Sequence, residues 1–281
     1  MMNIPGPLHT PLRDLAAWSA HLSQVEIPVL PETVTALAAL AADEENADAQ
    51  GIADVVMRDP LMCVKLYRHL ATLRRGSQLT DVESVTGCIV MMGVPPFFRT
   101  FSEIRSVAPP PGMTQNLFGG INTVLRRAQR ASEYAFDWAV RRNGLDAEVI
   151  ATAALLHDFA EMLIWCVAPG LAQRIQNELV AHPGMRSSDA QRAVLNIEIN
   201  QLEHELLARW HLPELLVRIV DEHAEADAKV RNVNLAVALA RHSAHGWDNP
   251  ALPDDYAALG ALLNIPTTQA RLLVAEKAGP H

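Results

Sequence analysis

The sequence predicts an all-α protein, a bundle of many helices. Alanine and leucine are the commonest residues in a chain of 281 residues, of which 49% are hydrophobic and only 5% aromatic. Strong helix formers in that proportion favour helices. Apolar residues also recur at helical spacing along most of the chain. No stretch of useful length shows the alternation of apolar and polar residues that is typical of strands.

The charge and the cysteines narrow the class of protein. The net charge is −9 and the pI is about 5.6, so nucleic acid is not an expected partner, because its backbone is bound through Lys and Arg. The three cysteines show no C-x-x-C spacing and predict neither a disulfide framework nor a zinc knuckle. With no signal peptide and no apolar run near about 20 residues, we expect a cytoplasmic protein that binds no membrane.

The N-terminal half is predicted to contain short helices bounded by proline and acidic caps. Pro31 fits the first position of a helix, where its missing N–H costs nothing. Asp48 and Asp59 are suited to cap the next two helices. Thr80 and Glu83 form a T-x-x-E capping box before a further apolar helix.

The middle of the chain is predicted to contain an internal boundary. Gly93 is suited to end the helix that follows the capping box. The run of three prolines and a glycine pair in residues 107–120 follows, and we place the boundary there. A long helix is expected next, over about residues 121–142, and it leads to a helical segment that carries His157 and Asp158.

These features divide the chain into three parts. The prediction is an N-terminal extension of residues 1–21, a main domain of residues 22–245 with halves at 22–107 and 121–245, and a C-terminal helical tail of residues 246–281.

Several motifs occur in an order that resembles the HDOD domain, a helical module of bacterial signalling proteins related to HD phosphohydrolases. The motifs are IPVLP (27–31), VVMRDPLMCVKLYRHL (55–70), VESVTGCIVMMGV (82–94), LLHD (155–158) and LLARWHLPELLVRIVDEH (206–223). The resemblance implies an HD-like multi-helix bundle with an N-terminal helical subdomain. It also implies a regulatory role in signalling, with no established enzymatic activity for the family as a whole.

The resemblance also implies which residues would hold a metal in a working HD enzyme. Such a site takes a His from the long helix, the adjacent His-Asp pair and a later Asp. Here Arg127 stands at the position of the first His, and Val237 is the best match to the later Asp. A guanidinium group cannot ligate a metal and repels one. The pattern HDIGK of active relatives is replaced by HDFAE, so we expect no catalytic residue, no cofactor and no metal.

The side chains of the pair have alternative partners. His157 could pair with Glu161 or with the backbone, whereas Asp158 could accept from Arg127 or from helix N–H groups. The basic run of Arg126, Arg127 and Arg130 is interpreted first as a solvated helix face. Alternatively, Arg127 supplies fixed positive charge in place of a metal ion, or contacts a ligand.

Three functions remain open from the sequence. The leading hypothesis is a non-catalytic bacterial signalling regulator that acts through contact with signalling proteins. The alternative is a metal-dependent phosphohydrolase, a phosphodiesterase or nucleotidase with Mn, Fe or Zn, whose rearranged site uses His157, Asp158, His204 and His223. The third is a nucleotide or small-ligand sensor in which Arg127 contacts phosphate.

Overall fold

The fold is all-α, which confirms the predicted fold class. The computed structural model describes residues 7–74, 82–108, 114–144, 146–220, 227–244 and 246–278. Within these ranges the only β contact is an isolated bridge between Val29 and Ser106. The helices are α1 (Leu15–Gln24), α2 (Pro31–Ala42), α3 (Ala49–Val56), α4 (Pro60–Arg74), α5 (Val85–Met92), α6 (Val94–Thr100), α7 (Thr114–Arg141), α8 (Ala147–Leu156), α9 (Phe159–Val167), α10 (Pro169–Ala181), α11 (Ser187–Leu195), α12 (Ile199–Arg209), α13 (Glu214–Val220), α14 (Ala228–His242), α15 (Leu252–Leu263) and α16 (Thr267–Ala278).

The predicted helix boundaries of the N-terminal half are largely confirmed. Helix α2 begins at Pro31, and the Asp48 carboxylate caps α3 by accepting from the N–H of Gly51 at 2.7 Å. Helix α5 ends at Gly93, whose φ of +80° lies in the region that favours glycine. These signals were readable because capping is decided by a few neighbouring residues.

The start of α5 differs from the predicted capping box. Thr80 lies outside the described residues, and the helix begins at Val85 with Ser84 as its cap. The Ser84 hydroxyl accepts from the N–H of Gly87 at 3.0 Å. The carbonyl of Glu83 accepts instead from the Tyr67 hydroxyl at 2.7 Å, so a contact with α4 positions this residue before the helix.

Asp59 joins the beginnings of α2 and α4 inside the core. It is fully buried, and one carboxylate oxygen accepts from the Leu30 N–H at 2.7 Å and the Thr33 hydroxyl at 2.8 Å. The other accepts from the N–H groups of Leu61 at 2.9 Å and Met62 at 3.2 Å. The predicted cap of α4 is therefore confirmed, and it also fixes α2.

The long helix α7 starts earlier than predicted. It runs from Thr114 rather than from about Ile121, so part of the predicted boundary, including the glycine pair, is helical. Gly120 lies against the Trp165 ring, and a Cβ placed on it would lie 2.3 Å from that ring. The glycine therefore allows α7 to approach α9 closely and does not end the helix, a role that the local sequence does not reveal.

Helices α8 and α9 form an apolar core segment, Ala147–Val167, of 21 residues. The prediction that no apolar run reaches membrane-spanning length was wrong for this segment, because an 18-residue window within it has a mean hydropathy of 1.5. Since 89% of that window is buried inside the protein, the segment is typical of the core of a soluble protein. The chain turns at its middle, because α8 ends at Leu156 and α9 begins at Phe159.

Helix α7 is the central element of the C-terminal half, since both α8 and α14 pack along it. The amide of Asn232 in α14 donates to the carbonyl of Ala135 in α7 at 3.1 Å. This buried hydrogen bond fixes the position of α14 along α7. The fixed position determines which α14 side chains reach the turn between α8 and α9.

We expect Asp59→Asn to destabilise the protein by about 2–4 kcal/mol, because the amide would leave buried N–H or hydroxyl donors without acceptors. Urea unfolding followed by circular dichroism measures the effect. Asp48→Asn is the matched control, since asparagine caps an exposed helix start about as well as aspartate. Equal effects of the two substitutions would contradict the role assigned to Asp59.

Candidate functional site

The candidate site surrounds the turn between α8 and α9. His157 and Asp158 form this turn, and each residue is less than 8% exposed. Both were predicted to lie within a helix. The buried turn instead brings both side chains towards α7 on one side and α14 on the other.

Two arginines hold the Asp158 carboxylate. Arg127 of α7 donates from Nε to Asp158 Oδ2 at 2.7 Å and from Nη2 to Glu161 Oε2 at 2.7 Å. Arg241 of α14 donates from Nη2 to Asp158 Oδ1 at 2.6 Å. Each oxygen of Asp158 therefore accepts a charge-assisted hydrogen bond, and we call these four residues the arginine clamp.

His157 adds a third neighbour to the same carboxylate. Its Nδ1 lies 3.3 Å from Asp158 Oδ1, the oxygen that Arg241 also contacts. Glu161, considered from the sequence as a partner of His157, has a carboxylate oxygen on Arg127. Of the two kinds of partner considered for Asp158 from the sequence, Arg127 and helix N–H groups, the structure shows Arg127.

The clamp sets the ionisation of Asp158. Burial by itself raises the pKa of a carboxyl group, but the charges of Arg127 and Arg241 oppose it and hold the pKa of Asp158 well below its usual value. The hydrogen-bonded contact with His157 acts in the same direction. The carboxylate is thus charged, buried and matched by fixed cations.

Glu203 of α12 is a second buried carboxyl group beside the clamp. It is 2% exposed, and burial raises its pKa well above the usual value, although nearby His157 and a hydrogen bond from the Ala160 backbone oppose the shift. Asp158 adds to the rise. The pKa values of the two carboxyl groups, Asp158 and Glu203, are therefore shifted in opposite directions. A carboxyl group in its neutral form can donate a hydrogen bond as well as accept one.

These groups line a cavity of about 560 Å³. Its walls carry the clamp together with His157 and Glu203, and they are completed by α10 and by the first turns of α11 and α12. Polar side chains such as Gln176 and Asn200 also line it. Its volume is in the range of small-molecule sites in proteins.

The sequence-predicted site residues are only partly brought together. His157, Asp158 and Arg127 meet in the cavity, whereas His204 is not among the residues that line it. His223 lies outside the described residues. The interpretation of Arg127 as part of a solvated face was wrong, since its side chain is 17% exposed and paired with two carboxylates.

Sequence reasoning missed Arg241 and Glu203. Arg241 lies one helical turn after Val237, the residue matched to the later Asp of HD enzymes, so an inspection of the following turn could have found it. Glu203 follows Leu202 in the buried part of α12. The signal that could have found it is its helical spacing, because Glu203 shares the buried face of α12 with Ile199, Leu206 and Leu207.

The ligand set differs from that of an HD metal centre. Among the residues that the structure describes, no group of three or more His, Cys, Asp or Glu side chains is arranged to hold a metal ion. A cation at Asp158 would also lie beside two guanidinium groups. The side chains around this carboxylate therefore do not fit a divalent metal.

The fold and the buried His-Asp turn define a helical domain of HD-related architecture. The HDOD domain family matches residues 27–226, and the chain belongs to this family. The family match covers most of the chain and includes the cavity-lining segments from α7 to α12. No curated protein matches the chain.

Solved structures share the fold at low sequence identity. The response regulator MmoQ from Methylococcus capsulatus str. Bath is 16% identical, with a TM-score of 0.65 over 85% of this chain and 98% of that chain. A virulence factor from Campylobacter jejuni subsp. jejuni is 18% identical, with a TM-score of 0.69 over 91% of this chain and 92% of that chain. An HDOD domain protein of unknown function from Geobacter sulfurreducens is 16% identical, with a TM-score of 0.50 over 94% of each chain.

We expect Asp158→Asn to lower the free energy of unfolding by about 3 kcal/mol at neutral pH, because Arg127 and Arg241 would lose the buried carboxylate that they share. The pKa of Asp158 is lower in the folded protein than in the unfolded chain. Its contribution is therefore complete above about pH 4, the ordinary aspartate range, and is lost as the pH falls through the lower folded value. Urea unfolding at several pH values measures the difference between the two proteins.

Asp137→Asn is the control for this substitution. Asp137 pairs with Arg141 one turn away at 2.7 Å and with Lys277 at 3.7 Å, and the arginine and lysine side chains are 44% and 36% exposed. Loss of these solvent-exposed pairs should cost about 1 kcal/mol or less. The stabilising role of the clamp would be contradicted if Asp158→Asn lowered the free energy of unfolding no more than Asp137→Asn does. It would also be contradicted if the difference grew as the pH falls.

Proposed function

We propose that the protein is a non-catalytic regulatory module of bacterial signalling that acts in the cytoplasm through contact with signalling proteins. Membership of the HDOD domain family supports this role. So does the structural likeness to a protein described as a response regulator, since the likeness covers nearly all of that chain.

The proposal that the protein is not an enzyme is supported by the pairing of both Asp158 oxygens with guanidinium groups. A metal-dependent phosphohydrolase uses its metal to lower the pKa of a bound water and to polarise a phosphoryl oxygen. To ligate a metal here, Asp158 would have to give up Arg127 and Arg241, and a dication would be repelled by both. The arginines supply the positive charge that the carboxylate needs, but they offer no position for a metal-bound water.

The experiment is a hydrolysis assay with bis(p-nitrophenyl) phosphate, p-nitrophenyl phosphate and cyclic dinucleotides, with Mn²⁺, Fe²⁺ or Zn²⁺ added. We expect no turnover above that of the His157→Ala variant with any metal. Turnover that this substitution abolishes would overturn the non-catalytic assignment. The contact with a partner is tested by crosslinking in cells, followed by binding measurements with each purified candidate.

A second candidate function is the sensing of a small ligand, and the 560 Å³ cavity favours it. Arg127 forms ion pairs with two carboxylates and its side chain is 17% exposed. Arg241 is the more accessible cation for a phosphate group, because its side chain is 45% exposed. We expect any stabilising nucleotide found by a thermal-shift screen to lose its effect in Arg241→Gln. The control Arg231→Gln, also on α14, should keep the effect, and the absence of any stabilising nucleotide would count against this function.

A further inference from the structure

A second cavity lies in the C-terminal tail, outside the region matched by the family. It has a volume of about 700 Å³, is open to solvent on one side, and is lined by residues from 247–250, α15 and α16. It shares no lining residue with the cavity at the arginine clamp. A function of this cavity is therefore independent of the proposed regulatory role.

The tail that forms the cavity is attached firmly to the rest of the protein. Asp255 of α15 lies 2.7 Å from His242 of α14, measured between Oδ2 and Nδ1. Leu259 of α15 and Val274 of α16 are each 1% exposed and belong to the same hydrophobic core as the main domain. The cavity walls are thus held by two helices that are each tied to the main domain, which favours a preformed site.

Two aromatic side chains line this cavity, Trp247 and Tyr256. The chain has five tryptophans, and Trp247 is the one that is not buried, since Trp18, Trp138, Trp165 and Trp210 all lie in the core. The prolines Pro250 and Pro253 extend the apolar lining. An indole and a phenol ring in a concave apolar site are suited to contact a planar ring.

Among the described residues, Arg271 is the one basic residue in the lining of this cavity, and it favours a ligand with a negative charge. Arg271 of α16 makes no ion pair with a carboxylate in the described part of the chain, and lies near enough to Tyr256 to influence its hydroxyl. Thr267 and Thr268 add hydroxyl donors on the same side of α16. Asp248 is the one acidic residue in the lining, so a ligand with several negative charges is disfavoured.

We propose that this cavity binds a small planar aromatic compound that carries a single carboxylate. The ring contacts Trp247 and Tyr256, and the carboxylate accepts hydrogen bonds from the Arg271 guanidinium, whose geometry matches it. A neutral aromatic ring would lose the ion pair, and an aliphatic carboxylate would lose the aromatic contacts.

The indole N–H signal of Trp247 in protein labelled with ¹⁵N-tryptophan tests the proposal. Trp247→Phe assigns that signal among the five. The probes are 2-naphthoate, the neutral 2-naphthalenemethanol and the aliphatic cyclohexanecarboxylate. We expect 2-naphthoate to shift the Trp247 signal saturably, with a dissociation constant in the millimolar range or tighter, and the other two to bind more weakly.

Arg271→Gln should weaken the binding of 2-naphthoate roughly fivefold and leave that of 2-naphthalenemethanol unchanged, because an exposed ion pair makes a modest contribution. Arg99→Gln, an exposed arginine on α6, is the matched control and should change neither. No shift of the Trp247 signal, equal binding of all three probes, or equal effects of the two substitutions would overturn the proposal. Hydrolytic activity at the arginine clamp would leave it unaffected.

Discussion

The charged contact between Asp158 and the two guanidinium groups of Arg127 and Arg241 joins three elements of the C-terminal half in its interior. It joins the turn between α8 and α9 to the long helix α7 and to α14. A buried carboxylate without such partners would be strongly unfavourable, whereas a paired one specifies which helices meet. The surrounding cavity and the apolar segment that contains the turn are arranged about this contact.

The presence or absence of a cation in direct contact also explains why the pKa values of the two buried carboxyl groups, Asp158 and Glu203, shift in opposite directions. Asp158 has two cations in contact, so its pKa is lowered. Glu203 has burial as its dominant influence, so its pKa is raised. The two guanidinium groups therefore compensate the charge of the buried Asp158 carboxylate. This balance is the physical basis for proposing that the HD-like framework is retained here for structure and regulation.

Local signals predicted much of the fold, and long-range packing accounts for what they missed. The caps at Asp48 and Asp59 depend on residues a few positions away, and they were predicted correctly. Gly120 resembled a helix breaker because it stands in a glycine pair. Its actual role, close contact with the Trp165 ring, is not visible locally because the two residues are far apart in the sequence. The family pattern identified Arg127 from the sequence. It did not identify Arg241, because this residue reaches Asp158 only through the way in which α14 packs along α7.

We propose that guanidinium groups, and not a metal, hold the Asp158 carboxylate. The most direct measurement is the ¹³C carboxyl resonance of Asp158, assigned with Asp158→Asn and followed against pH with and without equimolar Zn²⁺. We expect the group to stay ionised well below the ordinary aspartate pKa and Zn²⁺ to leave its resonance unchanged. Titration in the ordinary range, or a stoichiometric shift caused by Zn²⁺, would contradict this proposal.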